Sequence, residues 1–210
     1  YTKFKNYGNF QSGYFNLQKS MDLDTIIQKL QEQGTKTPEP PVLGKITIPE
    51  GYTIDQIAEV VSVDASSKSG AKTPYTQEEF LKVIQDDDFI EKMVAKYPKL
   101  LATLPSKESG VRYRLEGYLF PATYGYGKDS KMEDLVDQML AAMDQNLSAY
   151  YDTMEAKNID VNEALTLASL IEKEGATDKD RKDIASVFYN RLNQDMPLQS
   201  NIAILYAQGQ

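Results

Sequence analysis

The run Ala164-Leu165-Thr166-Leu167-Ala168-Ser169-Leu170-Ile171-Glu172-Lys173-Glu174 closes on two carboxylates. At about 100° per residue, Ala164, Leu167, Leu170 and Ile171 fall on one apolar stripe of a helix. Glu174 projects along that stripe, Lys173 points to the far side, and Glu172 lies on the flank beside Leu165 and Ala168. A carboxyl on a buried stripe is costly to ionise, so burial favours its protonated form. A carboxylic acid that keeps its proton near neutrality can serve as a general acid. The same residues also read as a helix that has ended, with Gly175 as its C-cap and Glu174 in solvent. Spacing nominates Glu174 without deciding between the two.

Composition leaves little besides carboxylates to do chemistry. The 210 residues include no Cys and no His. That excludes a disulfide framework, thiolate nucleophiles, Cys-based zinc sites and any Ser-His or Cys-His dyad. Acid–base work falls to Asp, Glu, Lys or Tyr. With 23 basic against 31 acidic residues the net charge is −8, which argues against nucleic acid as the main partner. Hydrophobic residues make up 41% and charged residues 26%, a globular balance sufficient for one large domain or two small ones. No run approaches the 18 or so apolar residues of a membrane span. No signal peptide opens the chain at Tyr1-Thr2-Lys3-Phe4-Lys5, and both ends read as cut, so an anchor outside the sequence is compatible with it. Absent Cys fits an extracytoplasmic bacterial protein.

The elements that must position these groups are partly legible. Phe10–Leu17 reads as strand-like, leading through Ser20 to a helix with Leu23, Ile26, Ile27 and Leu30 at helical spacing, ending at Gly34. Lys45-Ile46-Thr47-Ile48 alternates like a strand, Pro49-Glu50-Gly51-Tyr52 turns, and Thr53 with Gln56 forms a capping box for Ile54, Ile57, Ala58 and Val61. A further box, Thr76 with Glu79, starts a helix through Phe80, Leu81, Val83 and Ile84. A proline-rich linker is expected near 35–44 and a flexible loop near 64–74. After Pro105 the character changes, and Tyr113–Tyr126 is dense in aromatics that suit either a sugar-binding surface or a packed connector. Three helices follow, Met132 to about Tyr151, Val161 to about Glu174, and Asp178 to about Asn193. Thr177 and Asp180 cap the last, with Ile184, Val187, Phe188 and Leu192 on one face. Ile202–Tyr206 begins another apolar segment.

Four strings in order carry a resemblance: Glu116–Tyr124 (EGYLFPATY), Leu167–Glu174 (LASLIEKE), Ile184–Leu192 (IASVFYNRL) and Met196–Ser200 (MPLQS). Their sequence and spacing closely resemble the YceG-like (MltG) family of endolytic murein transglycosylases, over nearly the whole chain. Ile48-Pro49-Glu50-Gly51-Tyr52-Thr53 looks like that family's LysM-like region. The resemblance implies an α+β fold, with a LysM-like N-terminal region over 1–104. A mainly helical catalytic domain over 105–210 follows, incomplete at its C-terminus. It implies Glu174 as the catalytic residue, with Glu116, Tyr118, Tyr124, Glu172, Asn190, Gln199 and Ser200 shaping the substrate groove. This chain departs from the family pattern at Gly175, where Thr is usual, and at Asn201, where Asp is usual.

The implied function is internal cleavage of nascent peptidoglycan strands between MurNAc and GlcNAc on the extracytoplasmic face. The enzyme would be held by an N-terminal membrane helix outside this sequence. Cell-wall synthases and division or elongation proteins would be its partners. Such a reaction needs one glutamate, acting as acid and then base, and neither metal nor cofactor. A hydrolase would need a second carboxylate, Glu172 or Asp178. Glu172 is poorly placed for that, since residues two apart on a helix point about 160° away from each other. The alternative from another class is a non-catalytic peptidoglycan-binding or scaffold module.

Overall fold

The computed structural model describes residues 8–15, 17, 20–34, 42–65 and 72–208. The chain divides into two compact units, Tyr1–Leu43 and Gly44–Gln210. In the first, helix α1 spans Leu23–Gln31 and is capped by Asp22, whose Oδ1 accepts the Thr25 N–H at 2.7 Å. The cap therefore falls two residues beyond Ser20, at the side chain that reaches the third residue of the first turn. Ile27 is its buried residue. Gly13, at φ 144°, lies so close to Gly34 that a Cβ there would sit 2.8 Å from the Gly34 backbone. Among the described residues, the run expected to be a strand contributes a single bridge residue, Tyr14, with Phe10, Tyr14 and Leu17 exposed. Most of the expected linker, residues 35–41, lies outside the described residues.

The second unit is mainly helical around one small sheet, an α+β arrangement. Strand β1, Gly44–Thr47, pairs antiparallel with β2, Thr123–Tyr126, in the register Gly44↔Tyr126 to Thr47↔Thr123. Alternation sends Ile46 inward against Tyr124, and Ile48 continues the buried face. Gly44 admits the close approach of the Tyr126 ring and of Asp64, where a side chain would collide. Asp64 accepts the Lys45 N–H at 3.1 Å and the Tyr126 hydroxyl at 3.0 Å, tying the start of the expected 64–74 loop to the sheet. Residues 66–71 of that loop lie outside the described residues.

Helices α2 (Ile54–Val60) and α3 (Gln77–Val83) open on the two capping boxes read from sequence. Helix α4 (Asp87–Lys96) follows, capped by Asp86 and burying Phe89, Ile90 and Met93. It is absent from the sequence reading. A 3₁₀ turn at Lys107–Ser109 leads into the aromatic segment. Where one helix was expected from Met132 to Tyr151, two form: α5, Met132–Leu147, and α6, Tyr151–Ala156. The break occurs without Gly or Pro. The Ser148 hydroxyl donates to the Gln145 carbonyl at 2.7 Å, and the Tyr151 hydroxyl reaches back to Asp144 at 2.7 Å, closing a turn in place of further helix. Phe80, Ile90, Leu115, Tyr118, Leu135 and Met139 belong to one continuous core, to which residues on both sides of position 104 contribute.

Helices α7 (Val161–Glu174), α8 (Asp178–Leu192) and α9 (Asn201–Ala207) complete the unit, and α8 and α9 both pack on α7. The Thr177–Asp180 box caps α8 as read from sequence. Of its predicted apolar face, Phe188 is buried and Ile184 half-buried, while Val187 and Leu192 are exposed. The covered strip is narrower than helical spacing implies.

Candidate functional site

The last turn of α7 delivers Glu174 to a point reached by several other elements. The stripe predicted for α7 is present, with Leu167 buried and Ala164, Leu170 and Ile171 half-buried. Glu174 is not buried with it; it is exposed. Of the two readings the spacing leaves open, a carboxyl on the buried stripe or one in solvent with Gly175 as the C-cap, the structure shows the second. Gly175 donates its N–H to the Ile171 carbonyl at 2.9 Å and then turns extended, at φ −99° and ψ 115°, while Glu172, Lys173 and Glu174 are all exposed. Gly175 itself is buried, and a Cβ on it would meet Arg181 Cγ at 2.6 Å. Glycine there is a matter of room and not of φ, because extended backbone suits any residue.

Ser200 meets Glu174 from the other side. Its Oγ donates to Glu174 Oε1 at 2.6 Å, and the serine is buried. Ser200 stands at the N-cap of α9, after a loop held by Arg191: its guanidinium donates to the Leu198 carbonyl at 2.5 Å and its own carbonyl accepts the Met196 N–H at 2.9 Å. In that loop Asp195 and Gln199 take positive φ, 52° and 56°. Such backbone is uncommon for side chains other than glycine and is kept where surrounding contacts enforce it. Gln199 is exposed beside Ser200, so the last of the four sequence strings converges with the second at one place. The turn at Gly51 (φ 72°) approaches as well, since a Cβ there would lie 3.8 Å from the Lys173 ammonium.

The remaining candidates fall elsewhere. Glu172 is engaged by Arg181, whose Nε lies 2.9 Å from Oε2 and whose second terminal nitrogen donates to Oε1 at 3.2 Å; Arg181 also holds Asp178 at 3.0 Å. This pairing braces the start of α8 against the end of α7 and occupies both carboxylates suggested as a hydrolytic partner. Asn190 is exposed on α8. Tyr118 is buried in the core, where its hydroxyl accepts from Asn162 Nδ2 at 3.2 Å and burial pushes its phenol up. Tyr124 is buried on β2, donates to the Phe120 carbonyl at 2.5 Å, and is pushed up to about 12 by burial. Both tyrosines face the packed interior and present no surface to a sugar. The even choice that composition left for Tyr113–Tyr126 falls, for these two side chains, on the packed connector.

Glu116 is different again. Its Oε1 accepts the N–H of Ile54, the first residue of α2, at 3.0 Å, and its Oε2 accepts the Tyr206 hydroxyl at 2.8 Å. Burial pushes this carboxyl up against the lowering pull of those two donors. Tyr206 is likewise pushed up by burial and by Glu116. Next to it, Asp55 pairs with Arg112 at 2.7 Å and accepts the Tyr113 hydroxyl at 2.7 Å. Tyr206, Arg181, Arg191 and Lys173 are not singled out by the sequence. Of these, Lys173 and Arg191 stand inside family strings, which is the one signal that could have marked them.

Among the described residues no group of three or more carboxylates converges in a way that could hold a metal ion. A hollow of about 610 Å³ lies elsewhere, lined by Tyr75 and by residues of α3, α4 and the start of α5, including Lys82, Phe89 and Met132. No helix among the described residues is long and apolar enough to cross a membrane.

Comparison with known proteins places this geometry in a family. The chain is 59% identical over 209 residues to a Streptococcus pneumoniae protein named endolytic murein transglycosylase. It is 36% identical over 210 residues to one of the same name from Bacillus subtilis. It is covered in full by both alignments but spans 37% and 54% of those relatives. A crystal structure of a YceG-like protein from Listeria monocytogenes matches at 37% identity and a TM-score of 0.69, over all of this chain and 65% of that one. The YceG-like family profile covers residues 1–210, and the chain belongs to that family.

Proposed function

We propose that this chain carries the catalytic glutamate of a lytic transglycosylase that cuts peptidoglycan glycan strands internally. The observation that carries the reading is the pairing of an exposed carboxylate, Glu174, with the buried hydroxyl of Ser200 at 2.6 Å. A reacting acid must be open to substrate and yet fixed in direction. Ser200 fixes Oε1, leaving Oε2 to carry the transferred proton.

In this mechanism protonated Glu174 gives its proton to the oxygen joining MurNAc C1 to GlcNAc C4, and the C1–O bond breaks. Positive charge spreads over C1 and the ring oxygen of MurNAc. The Glu174 carboxylate then takes the proton of the MurNAc C6 hydroxyl as that oxygen bonds to C1. The products are a GlcNAc 4-hydroxyl end and a 1,6-anhydro-MurNAc end, with no water consumed, and Glu174 returns to its protonated form. A strand lying over the site excludes water from it. The desolvation that α7 does not provide would thus come with the substrate.

Near that centre, Gln199 and the exposed Tyr52, next to Gly51, are groups available to a bound strand, and Asn190 is exposed on α8. The segment Ile48–Thr53 is read as LysM-like, with 1–104 as the glycan-engaging part and 105–210 as the catalytic part. A membrane-anchored enzyme on the extracytoplasmic face, working beside cell-wall synthases and division or elongation proteins, completes the reading. The test is product analysis on uncrosslinked strands polymerised from lipid II, using the full-length protein and mass spectrometry. Anhydro-ended fragments are expected. Reducing ends would mean a hydrolase, and intact strands that still bind would mean a recruiting module.

A further inference from the structure

We infer that Tyr206 and Glu116 are positioning residues for Glu174, acting through the orientation of α9. The inference rests on the reading of Glu174 as the catalytic acid. Helix α9 has seven residues, none of them buried, with Ile204 and Leu205 exposed. A helix this short does not hold itself, and little apolar area holds it against α7. The polar contacts at its two ends therefore set its direction. At the start, Ser200 donates to Glu174. In the last turn, Tyr206 donates to Glu116 Oε2 at 2.8 Å.

Glu116 is a firm anchor because its other oxygen is tied to Ile54, the first residue of α2. The Thr53–Gln56 capping box fixes that helix end in turn. The chain of contacts thus runs from α2 through Glu116 and Tyr206 along α9 to Ser200 and the Glu174 carboxyl. Release of the Tyr206 end lets α9 tilt about its N-cap, and the hydroxyl that orients Glu174 loses its place. Misplacement of this order slows a step that depends on orientation, while strand binding, spread over other groups, changes little.

The test uses the full-length enzyme with wild-type, Tyr206→Phe, Glu116→Gln, Ser200→Ala, Glu174→Gln and Tyr206→Phe/Ser200→Ala chains. Cleavage of uncrosslinked strands gives kcat and KM, and amide hydrogen exchange is followed over residues 201–207. Tyr206→Phe is expected to lower kcat roughly tenfold with KM within about twofold of wild type. Exchange in α9 is expected to accelerate, and the double variant to be no slower than Ser200→Ala alone, because both changes act through one contact. Glu116→Gln, which keeps an oxygen for only one of the two donors, is expected to give the same kcat pattern. An unchanged kcat in Tyr206→Phe overturns the inference, as does a raised KM with kcat intact, which would make Tyr206 a strand-binding residue. Additive losses in the double variant overturn it too. If wild-type enzyme and Glu174→Gln cleave equally or not at all, the reading of Glu174 fails. Exchange still judges the latch in that case, since unchanged protection of 201–207 in Tyr206→Phe contradicts it.

Discussion

Two glutamates of this protein sit in opposite surroundings. Glu116 is half-buried, accepts hydrogen bonds from two distant parts of the chain, and is pushed up by its partial burial. Glu174 is exposed at the end of α7, with Ser200 as its hydrogen-bond donor. Burial and a raised carboxyl are often taken as marks of a catalytic acid, and by that criterion Glu116 would be chosen. Its contacts argue otherwise. Both oxygens are committed to the scaffold, to a helix N-terminus on one side and a tyrosine on the other. A carboxyl with a donor bound at each oxygen is held in place by the scaffold, and neither oxygen is free to swing toward a glycosidic oxygen and hand it a proton. Glu174 is exposed, with one oxygen held by Ser200 and the other without a hydrogen-bond partner among the described residues.

The largest effect expected from this contrast is on turnover. Glu174→Gln should reduce strand cleavage by about 10²–10⁴-fold, the usual worth of a positioned acid–base group. Its stability should stay within about 0.5 kcal/mol of wild type, because the residue is exposed. Glu116→Ala should show the reverse emphasis. It strands the Ile54 N–H and the Tyr206 hydroxyl, and a loss of about 1–3 kcal/mol in denaturant unfolding is expected. A smaller effect is expected at Ser200, where Ala removes the donor to Glu174 and should lower kcat by roughly tenfold without loss of strand affinity.

The smallest is a pH dependence. A carboxyl whose folded pKa lies above its unfolded value contributes stability that is complete below the unfolded value and is lost as pH rises through the folded one. Glu116 is such a group, starting from 4.5. Wild type should therefore lose stability relative to Glu116→Gln as pH rises from about 4 through the raised value, measured as a difference in unfolding free energy. A difference that stays flat with pH would mean that Glu116 is not held in a desolvated place.

The contrast also explains what could be read from the sequence. The direction of Glu174 along α7 follows from a 3.6-residue period, and the period was correct for Leu167 and Ile171. Its exposure is shared with Glu172 and Lys173 in the last turn of α7, although Gly175 beside them is buried against Arg181. Periodicity contains no such information. Glu116 is marked in sequence only by its place in a family string. Its role depends on Ile54, 62 residues away, and Tyr206, 90 residues away. Likewise β2 lies in an aromatic segment with no clear alternation, and it becomes a strand because β1 offers Ile46 and an edge to pair with. Helix α4 was legible in principle, from the cap at Asp86 and the spacing of Phe89, Ile90 and Met93.

The most direct measurement compares Glu174→Gln and Glu116→Gln side by side in the full-length protein, recording strand cleavage and thermal unfolding for each. The account predicts that Glu174→Gln abolishes anhydro-ended products at an unchanged Tm. It predicts that Glu116→Gln keeps measurable cleavage with the same products while its Tm shifts. Full cleavage by Glu174→Gln, or complete loss in Glu116→Gln at an unchanged Tm, would contradict it and move the chemistry to Glu116.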